Sequence, residues 1–377
     1  MGYVYTTTLE VKNIVFNGSD LTISIYNEIM LFFLGREFAV MLFNSEVNKN
    51  IKTINDRVSS ADCEEDLVAI LDDLIEGDLL IKHNNVPVVL LLAVSCLLSI
   101  VGLSNYMLNE GSQWFAIVGL CASLFLGFLL LHRRSSIDGL SQKIFSRDVL
   151  LNNGLTPEKI HGVSLAKLYG SDFFEFHRGN HTQEIEYKAT GQFHGDEYAF
   201  GYLLMTFHYV DMITTVVPVS NGKDGITMTT ETNFHHYRRY GVLFDFPYID
   251  AVQVSESLPG KIHESEYDTA SISFSKAYRV QCQDESQAAK FLKPDIVETF
   301  TELAKRFDGV SFEAEEGRAV LFVDNDLLEL DRQYGIDEPE QFKEEILHYN
   351  KSHALDDVLQ FAHYLMTQFD NNFRKGK

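Results

Sequence analysis

Apolar and polar positions follow three regimes along this chain, and each predicts its own kind of element. The first has no period at all. Residues 86–108 (VPVVLLLAVSCLLSIVGLSNYML) carry no charged side chain, and residues 114–131 (WFAIVGLCASLFLGFLLL) repeat the pattern. As helices rising about 1.5 Å per residue they reach roughly 35 and 27 Å, against a hydrocarbon core of about 30 Å. Only Asn109, Glu110, Gly111, Ser112 and Gln113 separate them, so the expectation is an antiparallel transmembrane hairpin. In lipid each backbone N–H and C=O must be satisfied within its own segment, which selects helix.

The second regime has a period near two. After residue 135 the segments FFEFH (173–177), EIEYKAT (184–190), LLMTFHYV (203–210), TTVVPV (214–219), ITMTTET (226–232), YGVLFDF (240–246) and AVQVS (251–255) are rich in β-branched and aromatic residues. They read as strands, punctuated by Gly179-Asn180, by the Asn221 to Gly225 stretch and by Pro259-Gly260. Near the N-terminus, the runs around Val11 and Ile23, split by Asn17 to Asp20, predict a short hairpin. Residues 29–43 predict a buried or interfacial helix, since Glu28, Arg36 and Glu37 are costly in hydrocarbon.

The third regime is helical. Leu67, Ile70, Leu71, Leu74 and Ile75 share one face, with Asp62 and Glu65 as a capping pair and Gly77 as the stop. Asp284 caps a helix running to Lys293, and Pro294 opens another with Ile296, Val297, Phe300, Leu303 and Phe307 turned inward. Glu316-Gly317 turns a hairpin. Leu355, Val358, Leu359, Ala362, Leu365, Met366 and Phe369 make the longest stripe, with Ser352 near its start. Strands followed by helices imply an α+β fold. The expected organisation is a small N-terminal cytoplasmic region (1–85), a transmembrane hairpin (86–134) and a β-rich cytoplasmic domain ending in helices (135–377).

Charge refines this picture. Lys and Arg total 31 against 54 Asp and Glu, a formal net charge of −23. That argues against a nucleic-acid partner, because phosphate contacts need clustered cations. Lys82 precedes the first span, while Arg133, Arg134, Lys143 and Arg147 follow the second. Positive-inside logic then puts both termini in the cytoplasm and the five-residue loop outside. Nothing resembling a cleavable signal peptide precedes the spans. Cys63, Cys96, Cys121 and Cys282 lack metal-type spacing, in keeping with a reducing cytosol.

Gly119, Ser123 and Gly127 recur every four residues on the second span, and Ser95, Ser99 and Gly102 share one side of the first. Such small-residue stripes let backbones approach. They serve either the hairpin itself or a homo-oligomer seam. Neither span holds an ionisable residue, which argues against an ion or proton path.

No nucleotide-binding, zincin, nucleophile-elbow or calcium-loop motif is present, and no cofactor is implied. Among 13 histidines, His194, His208, His235 and His236 are the candidates for a metal-assisted hydrolase, although spacing alone does not converge them. His208 and Asp211, three apart on a strand, face opposite sides. His177 and His181 are separated by a turn. His235, His236, Arg238 and Arg239 form the one cationic cluster of the large domain. They read as a solvated turn between strands or as a lipid- or ligand-facing patch.

Several longer words resemble the bacterial DUF3137 family of membrane proteins. These are Phe274-Ser275-Lys276-Ala277-Tyr278-Arg279-Val280, Asp284, the run from Ala288 to Pro294, and Val297-Glu298. Tyr240 to Phe246 lies upstream, and Phe322-Val323 with Leu327-Leu328-Glu329 downstream. The resemblance covers residues 135–370 and the spans, while residues 1–60 depart from it. It implies a bacterial inner-membrane location, two spans followed by a soluble module, and a LemA-type membrane protein as partner, and it supplies no catalytic residue to carry over. The expected function is therefore non-enzymatic: an accessory protein that binds partners at the envelope, with the hydrolase as the alternative.

Overall fold

The computed structural model of the chain describes residues 44–77, 79–109, 114–160, 169, 172–220, 226–257, 263, 265–348 and 350–373. The expected N-terminal hairpin and the 29–43 helix lie outside these residues. The chain divides into two compact units, one built from residues up to 61, 65–144 and 333–345, the other from 62–64, 145–332 and 346–377.

The first unit is helical. Helix α1 (Ser45–Ser60) buries Val47, Ile54 and Val58, and α2 (Glu64–Ile75) buries Leu67, Ile70, Leu71 and Leu74. That is the expected stripe except for Ile75, which is exposed. Gly77 follows with φ 87°, the left-handed conformation that ends helices cheaply only at glycine. Arg57 pairs with Asp73 at 2.5 Å, and Lys343 of α8 (Pro339–Leu347) with Asp72 at 2.5 Å.

Helices α3 (Val86–Asn109) and α4 (Trp114–Asn152) are long and apolar enough to cross a membrane, with mean hydropathies of 2.7 and 2.4 over their most apolar windows. The second helix does not stop at residue 131, where the apolar run ends. It continues to Asn152, because the charged stretch after His132 holds good helix formers and no proline. The small-residue stripe splits in use. Ser123 Oγ lies 2.8 Å from Ser95 Oγ, and a Cβ on Gly119 would stand 2.8 Å from the Ser95 carbonyl oxygen and 2.8 Å from the Ser99 nitrogen. Gly127 has open space around it. Replacing Gly119 by Val should therefore push the two helices apart and cost about 1–3 kcal/mol, as overpacking does. Gly127→Val should be near neutral. Thermal unfolding of both variants in detergent checks the contrast.

Among the described residues, the second unit is organised by one antiparallel sheet of nine strands. In chain order these are β1 (Thr156–Pro157), β2 (Gln183–His194), β3 (Ala199–Ser220), β4 (Ile226–Asp245), β5 (Val252–Ser255), β6 (Ser265–Glu266), β7 (Arg279–Cys282), β8 (Ser311–Glu315) and β9 (Arg318–Val323). In space they run β1-β2-β3-β4-β9-β8-β5-β7-β6. The tight β8–β9 hairpin turns at Glu316 (φ 51°) and Gly317 (φ 76°), the two successive positive-φ positions of a primed turn.

One sheet face carries the main core. Val242, Phe244, Val252, Val254, Val280, Phe312 and Leu321 pack against Phe291, Phe300 and Phe369. Those three come from α6 (Glu285–Phe291), α7 (Pro294–Leu303) and α9 (His353–Phe373). Asp284 caps α6, accepting the Ser286 N–H at 2.8 Å, and Ser352 Oγ accepts the Leu355 N–H at the start of α9. The seven expected core positions of α9 are all buried. A further short helix, α5 (Ile272–Ala277), buries Phe274. The opposite face carries a smaller cluster of Phe173, Phe176, Ile185, Met205, Phe207, Val320 and Phe322.

Two strand expectations need correction. FFEFH is not a strand: Phe174–His177 form a 3-10 turn. Phe173 and Phe176 enter the same cluster three positions apart, which suits three residues per turn and not the two-residue alternation of a strand. The segments expected as separate strands between 203 and 246 fuse into just two, β3 and β4. From Asp211 opposite His235 to Ser220 opposite Ile226, these strands pair only with each other among the described residues. The resulting ribbon exposes Met212, Ile213, Val216, Met228 and Phe234.

Candidate functional site

The cationic cluster expected around residues 235–239 is not a turn. It lies within β4, where successive side chains point to opposite faces, so Arg238 and Arg239 part company. Arg239 is 3% exposed and does not belong to any surface patch. Its Nε donates to Glu175 Oε1 at 2.8 Å, and its Nη1 donates to Asp324 Oδ1 at 2.5 Å and to the Gly309 carbonyl at 2.6 Å. Glu175, fully buried, also accepts from Arg178 Nε at 2.6 Å and Ser311 Oγ at 2.9 Å. Burial alone would raise its pKa. The Arg239 and Arg178 charges, with the hydrogen bonds from Arg178 and Ser311, outweigh that and hold it below the ordinary value.

Beside it, Glu313 accepts the backbone N–H groups of Phe174 and Glu175 at 2.7 and 3.1 Å. Both donors belong to the start of the 3-10 turn. Burial dominates for this carboxyl and pushes its pKa up to about 7, partly opposed by those two hydrogen bonds and reinforced by the Glu175 charge. This network clamps the turn onto the sheet. Its role is to hold the fold.

On the other face of the same strands, a second polar group assembles. The β2–β3 register sets Glu184 opposite His208, and the β3–β4 register sets Arg238 opposite His208, with His236 two positions along. His208 Nδ1 lies 2.9 Å from Glu184 Oε1 and 3.5 Å from Glu186 Oε1. His208 Nε2 lies 3.1 Å from His236 Nδ1, and the two rings stack 5.3 Å apart at 6°. Arg238 grips Glu186 through Nε and Nη2 at 2.6 and 3.1 Å. The ladder is irregular here, because Ile185 pairs with Phe207 and Tyr187 with Thr206, which leaves Glu186 as an extra residue. Such a bulge re-aims a side chain; here it turns Glu186 toward His208. The ligand atoms of Glu184, Glu186 and His208 lie within 4.8 Å of one another.

No family model, curated protein or solved structure matches this chain. The site must be read from its own geometry.

The four candidate histidines are not assembled. His208 and His236 meet. His235 points to the other face of β4, opposite Asp211. His194 pairs with Ala199 at the far end of β2, ten residues from Glu184, a separation of about 30 Å along a strand. The carboxylates that do meet His208 carried no distinguishing signal. Glu184 and Glu186 alternate around Ile185 as any solvated strand face would, and only the pairing register brings an imidazole to them.

Proposed function

We propose that this chain is an integral membrane protein, anchored by α3 and α4 and presenting its acidic, sheet-centred unit in the cytoplasm as a binding module. The observation that carries the reading is the state of the two helices. Leu90, Leu97, Ile100, Val101, Val118, Leu124 and Phe128 stay exposed on helices with no charge over residues 86–108 and 114–131. Soluble proteins rarely leave a contiguous apolar patch of more than about a few hundred Å² in water; hydrocarbon removes the cost of exposing these side chains. The placement of Lys82, Arg133 and Arg134 favours both termini inside, and the likeness to the DUF3137 family suggests a bacterial inner membrane. The word-level likeness to the DUF3137 family supports the same architecture and suggests a membrane protein of the LemA type as partner. A binding role is favoured over hydrolysis because the four histidines of that alternative are not gathered.

The expected result is that the full chain stays with the membrane pellet through an alkaline carbonate wash and is released only by detergent. Tags at either terminus should be reachable only after the cells are opened. Recovery of the intact chain in the aqueous supernatant would overturn the anchoring, and a terminus labelled on intact cells would overturn the orientation.

A further inference from the structure

We propose that Glu184, Glu186 and His208 form a binding site for one divalent transition-metal ion, of the Mn2+ or Zn2+ class. The site belongs to the sheet-centred unit, and the inference is independent of the membrane reading. Three observations carry it.

The first is spacing. An ion with bonds of about 2.0–2.2 Å to nitrogen and oxygen sets neighbouring ligand atoms about 2.8–3.1 Å apart in octahedral geometry and about 3.3–3.6 Å apart in tetrahedral geometry. The separations from His208 Nδ1 to the two carboxylates, 2.9 and 3.5 Å, fall in that range. The two carboxylates lie within 4.8 Å of each other, and an ion would take the place of the proton shared between His208 Nδ1 and Glu184 while drawing the carboxylates in.

The second is support for the ligand. A histidine bound through Nδ1 must carry its proton on Nε2 and needs an acceptor there. His236 Nδ1 stands 3.1 Å from that nitrogen. This is the outer partner that fixes tautomer and ring orientation around protein metal sites. His208 is 7% exposed, and the stacked His236 ring holds its plane. The third is the bulge at Glu186, which departs from regular pairing at the one residue whose carboxylate completes the set.

Charge and donor type set the class of ion. The two carboxylates and Arg238 together contribute a net −1 at the site before the ion enters. One nitrogen and two carboxylate oxygens, with water in the remaining positions, suit Mn2+, Fe2+, Co2+ or Zn2+ better than soft ions, which prefer thiolates, or Ca2+, which takes oxygen alone. Arg238 competes: its guanidinium already bonds both oxygens of Glu186. It is 53% exposed and free to withdraw toward solvent when the ion arrives.

The test uses the full chain in detergent, stripped with chelator and titrated with Mn2+ followed by electron paramagnetic resonance. Mn2+ keeps the four free cysteines out of the readout, since thiolates favour softer ions. One equivalent should bind. Glu184→Gln, at a half-exposed carboxylate and so safe for folding, should weaken binding by at least about tenfold. Arg238→Gln should tighten it, and His194→Ala should leave it unchanged. Failure of the wild-type chain to take up Mn2+, or a Glu184→Gln variant that binds as well as wild type, overturns the site.

Discussion

Replacing Arg239 by Met should destabilise the sheet-centred unit by about 3–5 kcal/mol, the cost of leaving one partner of a buried ion pair behind. Methionine fills much the same volume, so the loss reads the charge and not a cavity. Glu175 would keep Arg178 and Ser311 but lose its bond to the most deeply buried cation, and the Gly309 carbonyl would lose its donor. The double variant Arg239→Met with Glu175→Gln should lose less than the sum of the two single losses, because the two side chains share one bond and that bond can be lost only once. The midpoints of denaturant unfolding for the single and double variants measure this coupling. A single Arg239→Met variant as stable as wild type would show that the network holds nothing.

The second large effect is a dependence on pH. Glu313 keeps its proton in the folded chain until about pH 7, whereas its ordinary value is 4.5. Between those values the folded state binds more protons than the unfolded one, so stability falls as pH rises through that window. The full cost, about 3 kcal/mol for a shift of this size, is present above the folded value. Glu175 works in the opposite sense: its pKa is lowered, so its stabilisation is present above the ordinary carboxylate value and is lost as pH falls through the folded one. The two carboxyls together place the unit's greatest stability near the ordinary carboxylate value of 4.5, at the acid end of that window. Glu313→Gln should flatten the decline between pH 4.5 and 7. It should also lose about 1 kcal/mol at the acid end, because an amide offers one oxygen to the two N–H donors of Phe174 and Glu175. Tyrosine circular dichroism during denaturation follows this unit, since the chain's single tryptophan, Trp114, lies on α4.

The clearest correction from the structure concerns Arg238 and Arg239. As adjacent letters they read as one basic patch. As adjacent residues of β4 they serve opposite faces, one gripping Glu186 beside His208 and the other buried against Glu175. A turn and a strand interior differ here only in what pairs with them, and the partners come from β2, β3 and the 3-10 turn, remote in sequence. The fused length of β3 and β4 was hidden for a related reason. Among the described residues between Asp211 and His235 most side chains are exposed, so residue type marks strand there but no buried face shows how far each strand continues.

What the amino-acid order determined by itself is whatever one element decides alone. The two uncharged runs, the capped helices α6 and α9, and the Glu316-Gly317 turn are local matters of backbone satisfaction, side-chain period and positive φ, and each was legible residue by residue. Tertiary structure decided which side chains share a face and a neighbour. Register brought Glu184 to His208, and burial set the protonation of Glu313. Those quantities depend on distance and on exclusion of water, and neither exists until distant strands have paired.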